Sequence, residues 1–289
     1  INSGKSLTTS GSFEIAGGTF TTNGEILDVG SYTQTGGIFN AGGSTVTCNG
    51  DFSVTVGTFN AGASVLVLDT TDGDATFTGD GYTFNNVIFQ STGTVARTLT
   101  LGGGTITFNG NFQLKADESG DLTVNAITNN PDLDIGGSVD YTGTGAGTES
   151  ISMGDGIWTV GGNLDFSDGT VDASTSTFVL NGTSTQTLTM DGNGLNVLQI
   201  TNSSSDGVYF ADNLSLSTFT ASTGNTHLYF CGGSTFTFTN IDLDGQSESS
   251  RIVLRSTSTG TAWYLTVTGT QSVSYVDVKD SDASGGDTI

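Results

Sequence analysis

The sequence predicts an all-β protein, a single-stranded parallel β-helix (β-solenoid) of roughly 13 coils at ~21 residues per coil. Three observations lead there. Phe20, Phe39 and Phe59 recur at spacings of 19 and 20, each behind a glycine-containing turn: Gly17-Gly-Thr-Phe20, Gly36-Gly-Ile-Phe39 and Val56-Gly-Thr-Phe59. The last two also share Phe-Asn-Ala-Gly, at 39–42 and 59–62. Second, the 289 residues hold 44 Gly, one Pro, and 24 Asp against 5 Glu, a balance that favours turns and strands over helices. Third, short alternating segments are separated by Asn-Gly, Asp-Gly and Gly-Gly pairs, which supply the positive φ of tight corners. No stretch sustains helical apolar spacing, so helix content is expected to be close to nil.

The elements follow in chain order. Thr45-Val-Thr-Cys48, Phe52-Ser-Val-Thr-Val56 and Val65-Leu-Val-Leu68 read as strands, most of them with one buried and one wet face. Thr98-Leu-Thr-Leu101, Thr105-Ile-Thr-Phe108 and Thr187-Leu-Thr-Met190 repeat the pattern. So do Thr235-Phe-Thr-Phe-Thr239, Leu265-Thr-Val-Thr268 and Val273-Ser-Tyr-Val-Asp-Val278. One corner recurs in Asn23-Gly-Glu-Ile26, Asn49-Gly-Asp-Phe52 and Asn109-Gly-Asn-Phe112, with a relative in Gly161-Gly-Asn-Leu164. A longer echo relates 75–89 to 186–200, as if a block of several coils were duplicated. The same Asn-Gly signals also suit hairpins, so an antiparallel β-sandwich of repeats is the alternative. The near-constant Phe spacing favours coils, because like-on-like stacking buries identical side chains in ladders. No Pro-rich linker interrupts the chain, and residues 1–289 read as one continuous solenoid.

Charge narrows the partners. A formal net charge of −23, from 29 acids and 6 bases, argues against nucleic acid, anionic membranes and acidic polysaccharides. Solubility and self-repulsion of an extracellular or cell-surface protein account for it. Cys48 and Cys231 lie many coils apart, which makes two small buried residues a better reading than a bridge, with an intermolecular bridge left open. No run of 18 apolar residues exists, so no membrane-inserted helix is expected. The opening at Ile1 and the closing Gly-Gly-Asp-Thr-Ile289 read as a processed or partial segment.

Candidate chemistry is sparse. Asp69, Asp72 and Asp74, with Asp80 nearby, could supply oxygens to a structural Ca2+, although the nonapeptide calcium-roll repeat is absent. Carboxylate pairs at Asp72/Asp74, Asp132/Asp134 and Asp242/Asp244 would each share a strand face, as acid–base or cation-holding pairs do. Turn capping is the better account of all of them. His227 is the only histidine, which removes His-based metal clusters and most triads. Trp158 and Trp263 sit in apolar strand runs and are expected in the core. Thr-x-Thr pairs could order water on a flat face, but their spacing is irregular. Asn181, Asn202 and Asn213 match the N-glycosylation pattern, common by chance here.

The repeated Gly-Gly-Thr-Phe, Phe-Asn-Ala-Gly and Asn-Gly-Asp-Phe motifs, with the closing segment 273–283, resemble bacterial secreted β-solenoid proteins. These are adhesins and surface-fibre proteins, haemagglutinin-like in general character. The resemblance implies export, a parallel β-helix, and a structural or adhesive role. The expected function is therefore a non-catalytic extracellular structural module, a self-assembling fibre subunit or a stalk segment of a large adhesin. Its expected partners are further copies stacked end to end, or other surface proteins and glycans. A neutral-polysaccharide-binding or -cleaving β-helix is the alternative, and ice binding a third reading.

Overall fold

Strands in the computed structural model pair in parallel with the strand one lap later, not antiparallel across a hairpin. The structure describes residues 1–286. Among them there is no helix, and the parallel sheets stack as a β-solenoid of about 13 turns. The strand Thr45–Cys48 pairs with Leu27–Asn40 on one side and Val65–Asp69 on the other. The next strand in sequence, Phe52–Asn60, pairs instead with Leu27–Asn40 and Ala75–Thr78. Asn49-Gly50 is therefore a corner between two sheet faces, not a hairpin turn. This excludes the antiparallel sandwich.

Chain contacts divide the molecule into two compact units, residues 1–156 with 168–170, and 157–167 with 171–289. In the first unit the Phe repeat forms the ladder its spacing implies. Phe20 pairs with Phe39 and Phe39 with Phe59. The ring centroids lie 6.0 and 5.1 Å apart. A second ladder, Phe13–Tyr32–Phe52–Phe77, runs beside it with centroid steps of 5.8, 4.7 and 5.3 Å. Rings of the two ladders meet edge to face, as Tyr32 and Phe39 do at 5.4 Å. Each such contact contributes about 0.5–1.5 kcal/mol beyond the area it buries. Inside the same unit, Tyr32 and Gln34 are fully buried. The Tyr32 hydroxyl donates to Gln34 Oε1 at 2.9 Å, and Gln34 Nε2 donates to the Thr58 carbonyl at 3.0 Å. Their polar atoms are thus satisfied where water cannot reach.

The second unit is built the same way. Phe210, Phe230 and Trp263 stack with centroid distances of 4.8 and 4.2 Å. Phe219 and Phe238 stack at 5.0 Å. Trp158 and Trp263 are both fully buried, as their apolar surroundings in the sequence imply.

Asp and Asn serve one recurrent purpose. A side-chain oxygen in the turn of one lap accepts the backbone N–H that opens a strand in the next. Asp51 does so for Thr76 at 2.8 Å, Asp74 for Thr98 at 2.9 Å, and Asn86 for Asn111 at 2.8 Å. Asn111 repeats it for Ser138 at 2.9 Å, and in the second unit Asn213 does so for Thr235 at 2.8 Å. Lap length is less regular than the opening repeat suggests. Residues bonded across one lap are 20 apart at Asn40/Asn60, 27 at Thr123/Ser150 and 30 at Asn240/Thr270. The extra residues sit in corners, where the stacked strands do not feel them.

Candidate functional site

Of the four carboxylates suggested for Ca2+, Asp69, Asp74 and Asp80 accept hydrogen bonds at corners. Asp69 closes the strand Val65–Asp69, accepts the Thr71 N–H at 2.9 Å, and takes the Gln90 amide at 2.8 Å. Asp74 and Asp80 accept the N–H groups of Thr98 and Thr105, at 2.9 and 3.0 Å. Asp72 is exposed in the turn between them. Among the described residues no group of three or more His, Cys, Asp or Glu is gathered as a metal site.

The other singled-out residues also resolve into surface and corner roles. Asp132 and Asp134 share the outer face of the strand Asp132–Ile135, as i, i+2 spacing requires. Asp242 and Asp244 share the outer face of Thr235–Asp244, opposite Ser272 and Ser274. Asp244 accepts the Gln246 N–H and the Ser274 hydroxyl, which hold its carboxyl below the usual carboxylate range. Thr-x-Thr pairs face outward, but their columns break. Thr105 and Thr107 lie against Asp132 and Asp134, and Thr187 lies against Tyr209. Cys48 is buried, and burial pushes its pKa up to about 11, so the thiol stays protonated. Cys231 is half-buried and free. Of the glycosylation matches, Asn202 is fully buried while Asn181 and Asn213 are exposed.

One buried acid stands apart from this pattern. Glu149 opens the strand Glu149–Ser152 at 3% exposure, and its Oε1 accepts the Ala116 N–H at 2.8 Å. Loss of hydration raises its pKa, the neighbouring Asp168 carboxylate adds to the rise, and the backbone donors only partly oppose it.

The least finished surface is the last lap of the second unit. The strands Gln271–Ser274, Val276–Val278 and Ser281–Asp282 each pair with the preceding lap. Among the described residues nothing pairs with their other edge. They overhang a cleft of about 240 Å³ whose walls include Leu243, Trp263, Leu265, Val273, Val276 and Val278. Val278 is 45% and Tyr275 46% exposed, in contrast to the sealed columns beneath them. Tyr275, at φ 51, turns the chain between the two strands of Val273–Val278 that the sequence reads as one. At the opposite extreme of the sequence, Leu7–Ile15 and Thr19–Thr21 pair only with Leu27–Asn40, and Leu7, Phe13 and Phe20 are half-buried. Among the described residues, no further strand pairs on the outer edge of these laps in either unit. The sequence signalled these strands and the lack of a capping segment at either end, but not which side chains line the cleft, because that depends on what lies next in space. Comparison with known protein families, with curated proteins and with solved structures finds no match. Among the described residues no helix is long and apolar enough to cross a membrane.

Proposed function

We propose that this protein is a non-catalytic extracellular structural module, a subunit of a surface fibre or a stalk segment of a large adhesin, extended by a second copy stacked on its open last lap. The apolar cleft under Val273, Val276 and Val278 carries the reading. An uncovered parallel edge above an apolar wall is a template for another strand. The complementary half is the first lap, whose Leu7, Phe13 and Phe20 begin the ladders that the last lap leaves unfinished. A copy presenting that lap would continue the parallel pairing and the apolar columns together. Such a head-to-tail contact does not close on itself and so propagates. Placement outside the cell rests on the acidic, Thr- and Gly-rich composition.

Sedimentation velocity over a hundredfold concentration range, with electron microscopy of the same samples, tests this. Growing linear assemblies are expected from the unmodified protein. They should be lost in the double variant Val276→Asp/Val278→Asp and, separately, in Phe13→Asp at the other surface. Monomers throughout the range would overturn the reading. Assembly stopped by the first variant but untouched by Phe13→Asp would replace head-to-tail stacking with a symmetric contact.

A further inference from the structure

A second cleft, of about 330 Å³, opens at one corner of the second unit, between the loops 201–207 and 222–226 of successive laps. Unlike the apolar cleft it is lined by hydroxyls and amides. We propose that it is a subsite for a neutral, hydroxyl-rich ligand, a single sugar residue of a glycan, with the adjoining Tyr209/Tyr229 surface receiving the next one.

The cleft has two polar layers. The inner one is internally satisfied and locked. Asn202, fully buried, donates to the Ser184 carbonyl at 2.9 Å and to Gln186 Oε1 at 2.8 Å, while its own oxygen accepts the Ser204 N–H at 2.8 Å. Gln186, also fully buried, donates in turn to the carbonyls of Val160 and Gly162 at 2.9 and 2.6 Å. Thr226 Oγ1 donates to the Thr223 carbonyl at 2.8 Å. A hydrogen-bonded floor of this kind fixes the loops that stand on it, which is the preorganisation a polar binding site needs.

The outer layer has no internal partners. Ser203, Ser205, Thr223 and Asn225 line the cleft, and among the described residues their side-chain hydroxyl and amide groups make no hydrogen bond. His227 joins them, and its Nδ1 is buried without a hydrogen-bond partner. Surface hydroxyls are readily hydrated, but an orphaned ring nitrogen carries a desolvation cost that calls for an explanation. A ligand hydroxyl entering beside His227 would let the ring turn and engage it.

Gly207 lies directly beneath His227, where a Cβ would stand 2.2 Å from the His227 carbonyl oxygen, so glycine lets the two laps close up at the cleft. The imidazole lines the cleft beside the outer sheet face. There it meets Tyr229 edge to face at 6.2 Å, and Tyr229 stacks on Tyr209 at 4.4 Å. Rings with a polar tip beside hydroxyl donors suit the mixed surface of a sugar. Charge sets the class of ligand. Asp206 lies on the cleft's own loop, and the nearest cation on the Tyr column, Arg255, is held by Asp277 at 2.8 Å. Arg251, exposed on the next lap beside Asn225, also faces the Asp277 carboxylate, so an anionic glycan would compete with Asp277 for both cations and meet Asp206 at the cleft itself.

Isothermal titration and saturation-transfer NMR against cellohexaose, mannohexaose and anionic hexagalacturonate test the assignment. At least one neutral oligosaccharide should bind, with contacts mapped to the loops 201–207 and 222–226, and the anionic one should not. Ser205→Trp, which fills the cleft from an exposed loop position, and His227→Ala should each weaken binding about tenfold or more. Thr94→Trp, on an exposed loop of the first unit, should leave it unchanged, and thermal melts of all three should match the parent. No binding of either neutral oligosaccharide at millimolar concentration would overturn the proposal. So would binding that survives Ser205→Trp, or equal binding of hexagalacturonate. The result is independent of end-to-end assembly, since the assay can be run on the Val276→Asp/Val278→Asp variant.

Discussion

Phe39 shows what a single residue contributes in a stacked core. It is fully buried and has an aromatic neighbour on both sides, Phe20 and Phe59. Truncation leaves a cavity that no single neighbour can collapse into. Phe39→Ala should therefore cost about 3–5 kcal/mol in chemical denaturation. Thr100→Ala, on an outward position of the strand Arg97–Leu101, should stay within about 0.5 kcal/mol. Glu149 works in the opposite sense. Burial raises its pKa, so the folded state holds the proton more tightly than the unfolded chain does. Its contribution is fully present below the unfolded carboxylate value and is lost as pH rises through the raised folded value. Glu149→Gln keeps an acceptor for the Ala116 N–H without the charge. The variant should melt higher than the parent at neutral pH, and the two should converge near pH ~4, by calorimetry across that range. A parent that melts identically to the variant at both pH values would show that this carboxyl does not titrate with folding.

At the scale of strands and corners, backbone conformation decides where laps can approach. Gly57 sits within the strand Phe52–Asn60 at φ 108, where a Cβ would stand 2.6 Å from the Gly36 carbonyl oxygen and 2.7 Å from that of Gly37. Both contacts are with the backbone of the lap below, which cannot step aside. Gly57→Ala should destabilise by more than the ~1 kcal/mol typical of a compatible glycine replacement, and Gly43→Ala, in open space with ordinary φ, should not. Equal melting temperatures for the two variants would contradict this account of the close approach. The corner motif Asn-Gly-polar-apolar was legible in the sequence as a turn. Its second purpose was not, because the N–H that each Asp or Asn accepts belongs to a residue some 25 positions later, as with Asp80 and Thr105. Spacing within one lap carries no trace of that partner. For the same reason the sequence could suggest Asp69, Asp72, Asp74 and Asp80 for a cation but could not show that Asp69, Asp74 and Asp80 each accept a separate backbone N–H.

For the molecule as a whole, a net charge of −23 opposes the association that the open apolar laps favour. Like-charge repulsion between copies is screened once the ionic strength brings the Debye length below about 10 Å. Assembly should consequently strengthen as salt is raised from about 10 mM to about 150 mM, read by sedimentation at fixed protein concentration. Assembly that weakens with salt would mean that ion pairs, not apolar ladders, hold the contact.

Fold class was available from the chain alone, because a residue's tendency to point in or out is local. Alternating Thr with Phe, Val or Leu makes a two-faced strand, and Phe at 20, 39 and 59 announces a lap before any coordinate is known. Tertiary structure alone decided which strands pair, how far a corner may lengthen, and which apolar side chains line the cleft at Val273, Val276 and Val278. It alone gathered Asn202, Asn225 and His227 around one cleft, since residues 23 and 25 positions apart become neighbours only when one lap is laid on the next.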